Sequence, residues 1–275
     1  MAHSIAFGLN HIACPYMTFL ELAAFAASCG IGAIEVRNDM DRYPDPFSGI
    51  QPHEVKQAAC ETGVRICALN AFGSFNDVHR LDARLNELEL LLMRLYETGT
   101  EALILCPVND VNDTRSEDAA FADTVQSLKA YGPMLAAHGI KGLIEPLGFA
   151  VSSLRSKRMA WEAVEASGHT DAYALVHDTF HHYLAGEQEF FPEQTGLVHL
   201  SGVEDRIPVD EITDEHRVFI TPNDRSGASE QAAELIGLGY SGIMSWEPFS
   251  SKIQHMDRES LKHSLGESIE RIMTV

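Results

Sequence analysis

Eight short apolar runs recur along the 275 residues, each followed by a longer segment of helical period, and this alternation limits the fold more than any single motif does. The runs are "IAFGLN" (5–10), "GAIEVRN" (32–38), "RICALNA" (65–71), "ALILCPVN" (102–109), "KGLIEP" (141–146), "YALVHD" (173–178), "GLVHLS" (196–201) and "GIMSWEP" (242–248). Strands joined by helical crossovers pair in parallel, and eight such units in about 250 residues close into a barrel. The chain is therefore expected to be an α/β protein, a (β/α)8 TIM barrel forming a single domain over 1–275. In "LDARLNELELLLMRLYETG" the residues Leu81, Leu85, Leu88, Leu92 and Leu95 recur at helical spacing, as on a helix packed by one face. "VKQAACETGVR" and "AAELIGLGYSG" carry glycine just before the next strand, as helix C-caps do. The longest departure, 202–225, is polar and twice interrupted by proline, and a loop of that length is usually functional.

Charge excludes one class of partner. Forty acidic residues against twenty basic ones give a formal charge of −20, and a nucleic acid would be repelled by that field. The one basic cluster, Arg155 to Arg158, is expected to face solvent. Five cysteines without a CxxC pair read as free thiols rather than a disulfide or zinc framework. No run approaches the roughly 18 apolar residues of a membrane span, and the opening residues lack the pattern of a signal peptide. The expectation is a cytoplasmic protein with no membrane partner; a homo-oligomer is compatible with the sequence.

The strand ends carry the chemistry. In a barrel of this kind the active site lies at the C-terminal ends of the strands. Strand five ends in Glu145, strand six in Asp178, strand seven carries His199 near its end, and strand eight ends in Glu247. Both glutamates precede proline, in "GLIEPLGF" (142–149) and "GIMSWEPF" (242–249). Consecutive strand ends lie close together in a closed barrel, so three carboxylates and an imidazole should converge. One divalent cation would bring their formal charge from −3 to about −1. Mixed oxygen and nitrogen donors without a thiolate suit Mn, Co, Fe, Mg or Zn.

Asn10, His11, Glu35, Arg37, Asn70, Asn109 and Trp246 also fall at strand ends, where they would line a polar pocket suited to a polyol. His11 and Arg37 read equally well as packed rim residues. Strand alternation turns His177 away from Asp178, and His182 reads as structural.

The order Glu, "HDTFHH", "VHLS..ED", "SWEP" resembles the xylose isomerase-like superfamily of sugar isomerases and epimerases, with ketose 3-epimerases and inosose isomerase as the nearest types. "AIEVRND" and "LILCPVND" are similar to a bacterial subgroup associated with inositol catabolism. The resemblance implies that Glu145, Asp178, His199 and Glu247 are metal ligands, that Glu145 and Glu247 double as the acid/base pair, and that His181 contacts substrate. Relatives show an arginine followed by a Pro-Gly-x-Gly turn; this chain has "RVFITPNDRSG", where Arg217 fits loosely and Arg206 competes.

The expected function is metal-dependent isomerisation or epimerisation of an unphosphorylated ketose or an inosose through an enediolate. An inosose dehydratase and a non-catalytic sugar-binding barrel are the alternatives. An apurinic-site endonuclease shares the barrel, but its extra zinc-binding histidines would fall where this chain has Asn70 and Asn109.

Overall fold

Strand β1 (Ala6–Asn10) pairs in parallel with both β2 (Ala33–Arg37) and β10 (Ile243–Trp246), which closes the sheet on itself. Between them lie β3 (Arg65–Phe72), β4 (Ala102–Leu105), β5 (Lys141–Ile144), β6 (Tyr173–Asp178) and β7 (Thr195–Leu200). The closed order is β1-β10-β7-β6-β5-β4-β3-β2, all parallel, so the expected (β/α)8 barrel is what forms. Two short strands, β8 (Gly202–Val203) and β9 (Arg217–Val218), pair antiparallel within the long segment after β7. This computed structural model describes residues 5–274; the first four residues and the last, part of the expected 1–275 span, lie outside the described residues.

The helices alternate with the strands: α1 (Phe19–Ser28), α2 (Pro52–Thr62), α3 (Leu81–Thr98), α4 (Glu117–His138), α5 (Lys157–Ser167), α6 (Thr179–Ala185), α7 (Ala228–Gly237), α8 (Ser251–Gln254) and α9 (Arg258–Met273). None is long and apolar enough to cross a membrane. Leu88, Leu92 and Leu95 of α3 are buried against the barrel, with Leu81 and Leu85 half-buried beside them. Gly63 ends α2 in the left-handed conformation as its sequence predicts. α7 likewise ends on glycine: Gly239, one residue past the C-cap Leu238, takes the positive φ, and the N–H groups of Gly239 and Tyr240 bond the Ile236 and Leu235 carbonyls.

Alternation along the strands sorts the apolar residues into two bodies. One set, including Ile34, Leu69, Leu103, Ile144, Val198, Met244 and Trp246, belongs to the large shell between strands and helices. The other, Ala33, Cys67, Ala68, Ala102, Ile104, Leu143, Val176, Leu197 and Ile243, fills the barrel interior. Space there is tight: a Cβ on Gly8 would lie 3.0 Å from Ser245 Cβ.

Proline decides where three strands stop. Cys106, Glu145 and Glu247 each donate a last ladder bond, to the carbonyls of Phe72, Leu105 and Leu200 at 3.3, 3.1 and 2.9 Å. Pro107, Pro146 and Pro248 follow, and a proline has no N–H to continue the ladder. A residue before proline is held extended, so the side chain keeps the strand's alternation. Glu145 lies two residues beyond Leu143, Cys106 two beyond Ile104, and Glu247 four beyond Ile243, so all three continue the interior row. The same proline ends β4 at Leu105, short of the predicted 109.

On the outer face of β6, His177 Nε2–H donates to Gln231 Oε1 at 2.9 Å and the ring stacks on Phe190, away from Asp178 as alternation requires. His182 meets Lys157 Nζ at 2.8 Å, and Lys157 also bonds Glu187. Lys157 is thus buried, contrary to the expectation that its basic cluster faces solvent, while Arg155 and Arg158 are exposed. Burial, with Lys157 and His182 nearby, pushes the His177 imidazole well below its ordinary range; burial and Lys157 push His182 down too. Burial brings His11 to about 4.

An unfolded chain protonates these histidines near pH 6.5, whereas the folded chain holds them neutral, so lowering the pH favours unfolding. Stability is therefore expected to fall as the pH drops from 6.5 to 5, a window above the titration of ordinary carboxylates. Urea unfolding should show a shallower slope for His177→Gln, by up to one proton's worth, about 1.4 kcal/mol per pH unit. An unchanged slope would mean that His177 is protonated in the folded state.

Candidate metal centre

The interior row that is apolar in the middle of the barrel turns polar at its C-terminal mouth. Glu145, Asp178, His199 and Glu247 are all buried there, and one ligand atom from each lies within 4.8 Å of the others. The register sets Asp178 beside His199, and His199 beside Ser245 two residues before Glu247. The strand ends do converge.

Each member is held from a defined side. Asp178 caps α6: its Oδ1 accepts from the backbone N–H of Phe180 and His181 at 2.8 and 3.0 Å, which leaves Oδ2 for the centre. His199 presents Nδ1 to the cluster, 2.7 Å from Glu145 Oε1 and 3.2 Å from Glu247 Oε2. Its Nε2 lies 2.9 Å from Glu35 Oε2, a fully buried carboxylate. Glu35 thereby holds the Nε2 proton, so that the Nδ1 proton facing Glu145 is the one a cation would displace, the usual arrangement of a carboxylate behind a metal-binding histidine.

Two buried arginines supply positive charge. Arg217 Nη2 reaches Asp178 Oδ2 at 2.6 Å and Glu247 Oε2 at 2.7 Å. Arg37 Nη1 reaches Glu247 Oε1 at 2.8 Å, while Asp39 takes the rest of its guanidinium. Phe249 packs against both guanidiniums, 4.9 Å from Arg37 and 4.8 Å from Arg217. Asn10 and Asn70 also donate to Glu247 Oε1, at 3.0 and 2.9 Å. Burial disfavours its charge, but His199, Arg217 and Arg37 bring the Glu247 carboxyl down to about 2. Burial is likewise overcome at Asp178, where the Arg217 guanidinium above all holds the carboxyl well below the usual carboxylate range. Against its own burial, His199 is raised well above the ordinary imidazole range by Glu247, Glu35 and Glu145.

Of the other residues singled out from sequence, Arg217 rather than Arg206 enters the centre. The β8–β9 pairing turns Arg217 inward, and Arg206 stays exposed. His181 is buried, and its Nδ1 accepts from Gly148 N–H at 3.2 Å, which leaves the proton on Nε2. His11 is buried beside the rim with a ring nitrogen 2.8 Å from the Met17 carbonyl, so the packed reading describes it. Asn109 is not brought to the centre: β4 stops four residues earlier, and Asn109 is exposed and bridged to Ser152. Trp246 is also corrected. It faces the helices, donating to Ser268 Oγ at 2.7 Å, because it falls in the outer row of β10.

The donor set fits a divalent cation. Three carboxylates and one imidazole whose far nitrogen is held by Glu35, with ligand atoms already within 4.8 Å, offer the oxygen and nitrogen donors that hard and borderline ions take.

A family model described as a xylose isomerase-like TIM barrel matches residues 23–272. Among solved structures, a xylose isomerase domain containing protein from Salmonella typhimurium LT2 has a TM-score of 0.89 at 29% identity, covering 97% of each chain. An IolI protein with a binding zinc atom has a TM-score of 0.87 at 18% identity, covering 98% of this chain and 99% of that one. D-psicose 3-epimerase with D-tagatose, from Clostridium cellulolyticum H10, has a TM-score of 0.77 at 17% identity over 98% and 99%. No curated protein sequence matches at a significant level.

Loss of a partner behind a metal-binding histidine typically lowers metal affinity about 10- to 100-fold. That loss is expected for Glu35→Gln, measured by titration calorimetry with Mn²⁺ or Zn²⁺. Wild-type affinity in the variant would show that Glu35 does not set the His199 tautomer.

Proposed function

The chain belongs to the xylose isomerase-like TIM barrel family, and on that premise we propose that it is a metal-dependent isomerase or epimerase of an unphosphorylated ketose or a cyclitol ketone such as an inosose. The observation that carries this reading is the convergence of Glu145, Asp178, His199 and Glu247 at the barrel mouth. The sugar epimerase and the zinc-bearing IolI protein among its structural neighbours support it.

In this reading those four side chains hold one divalent ion, whose Lewis acidity stabilises the negative charge that develops on an enediolate. Glu145 removes the proton from the carbon beside the carbonyl. Glu247 returns a proton, either to the opposite face of that carbon or to its neighbour. The division follows from their partners: Glu247 accepts from two guanidiniums, whereas Glu145 accepts from His199 and a thiol, so Glu145 is the freer base. Arg217 keeps the Glu247 and Asp178 oxygens oriented. His181, with its proton on Nε2, offers a neutral donor to a substrate hydroxyl.

Charge favours an unphosphorylated substrate. Arg37 and Arg217 are already paired with carboxylates, and the segment after β10, "FSSKIQHMDRES", which holds α8, offers Lys252 without a glycine-rich cradle. The chain as a whole carries −20.

The test is deuterium incorporation from D2O into a panel of inososes, free ketoses and ketose phosphates, followed by NMR. Exchange beside the carbonyl of a non-phosphorylated member is expected, with turnover reduced at least about 100-fold in Glu145→Gln and in Glu247→Gln. Wild-type exchange in a variant that still binds metal would remove that residue from the proton path. Higher kcat/KM for a phosphate would overturn the substrate class, and an alkene product would make the enzyme a dehydratase.

A further inference from the structure

Three strands end on a residue before proline that continues the interior row, and two of those residues are the paired glutamates. The third is Cys106. Leu105 pairs with Ile144 across β4 and β5, so the next residues, Cys106 and Glu145, leave the ladder side by side. The Cys106 sulfur lies 3.3 Å from Glu145 Oε2. A carboxylate has only lone pairs to offer, so the thiol donates. The other oxygen, Oε1, is taken by His199, and among the described residues Cys106 alone bonds Oε2 through a side chain. The four-residue donor cluster does not include the sulfur, and the thiol is half-buried at the mouth.

The last torsion of a glutamate is broad and roughly two-fold, so its own bonds do not fix how the carboxylate is turned. Glu247 is fixed by five donors. Glu145 has two, and removing one would leave Oε2 without a side-chain partner and the plane of the group free to rotate. We infer that Cys106 is a positioning residue for the proton transfer assigned to Glu145, its S–H setting the angle at which the carboxylate meets the substrate carbon. The inference rests on that assignment of Glu145.

Cys106→Val, close in volume but without a donor, and Cys106→Ser, which keeps one, separate hydrogen bonding from packing. The first readout needs no turnover. In infrared difference spectra between wild type and Cys106→Val, the Cys106 S–H stretch should lie below that of a free thiol, and should rise when Glu145 is Gln. In kinetics of the substrate that wild type exchanges fastest, Cys106→Val should lower kcat about tenfold with KM within about twofold and bound metal unchanged. Cys106→Ser should recover most of the loss. A free-thiol S–H frequency, wild-type kcat in Cys106→Val, or equal losses in both variants would overturn the inference. Inactive Glu145→Gln beside a fully active Cys106→Val would refute the role of the thiol alone. Full activity in Glu145→Gln would overturn the assignment of Glu145 and the role of Cys106 with it.

Discussion

Carboxylates cannot share one buried tier unless positive charge enters with them, because an unpaired buried ion costs several kcal/mol. The mouth of this barrel gathers Glu35, Glu145, Asp178 and Glu247, and the surrounding structure is organised by their neutralisation. Arg37 arrives from the end of β2, and Arg217 from a strand that exists only within the long segment after β7. The imidazole of His199 lies between Glu35 on one side and the other carboxylates on the other. Such a constellation is a poor way to stabilise a fold, since apolar residues of similar volume often do as well or better. Its presence points to chemistry.

The backbone makes the tier possible by a simple device. A closed parallel barrel gives every strand one inward row, and that row is apolar until the last turn of the pleat. Proline then stops the ladder at β4, β5 and β10 while the residue before it stays extended, which carries Cys106, Glu145 and Glu247 past the sheet without turning them outward. On β6 a different device acts. Asp178 ends the strand and caps α6 in one step, so one carboxylate oxygen is anchored and the other is left for the centre.

Much of this was legible in the sequence because strand count and strand ends are local features. The eight runs, the four converging residues and the outward turn of His177 all follow from period and position. What failed did so for local reasons as well. Reading β4 through Pro107 puts Asn109 at the mouth, although proline ends the ladder. Its place beside Glu247 puts Trp246 there too, although adjacent residues on a strand face opposite ways. Counting by twos from the interior residue Ile104 singles out Cys106, which strand ends alone do not. The choice of Arg217 over Arg206 was beyond sequence alone, since it depends on how β8 pairs with β9.

The family of the chain and the geometry of its mouth meet in one proposal: that the four residues would form a single metal centre. Elemental analysis of the purified protein tests it most directly, alongside Asp178→Asn, a substitution that keeps a good helix cap while removing a charged ligand. The account predicts about one equivalent of Mn, Co, Fe, Mg or Zn per chain, lost or greatly weakened in the variant. Wild-type protein that retains no divalent metal after equilibration with these ions, or that holds three zinc ions, would contradict it.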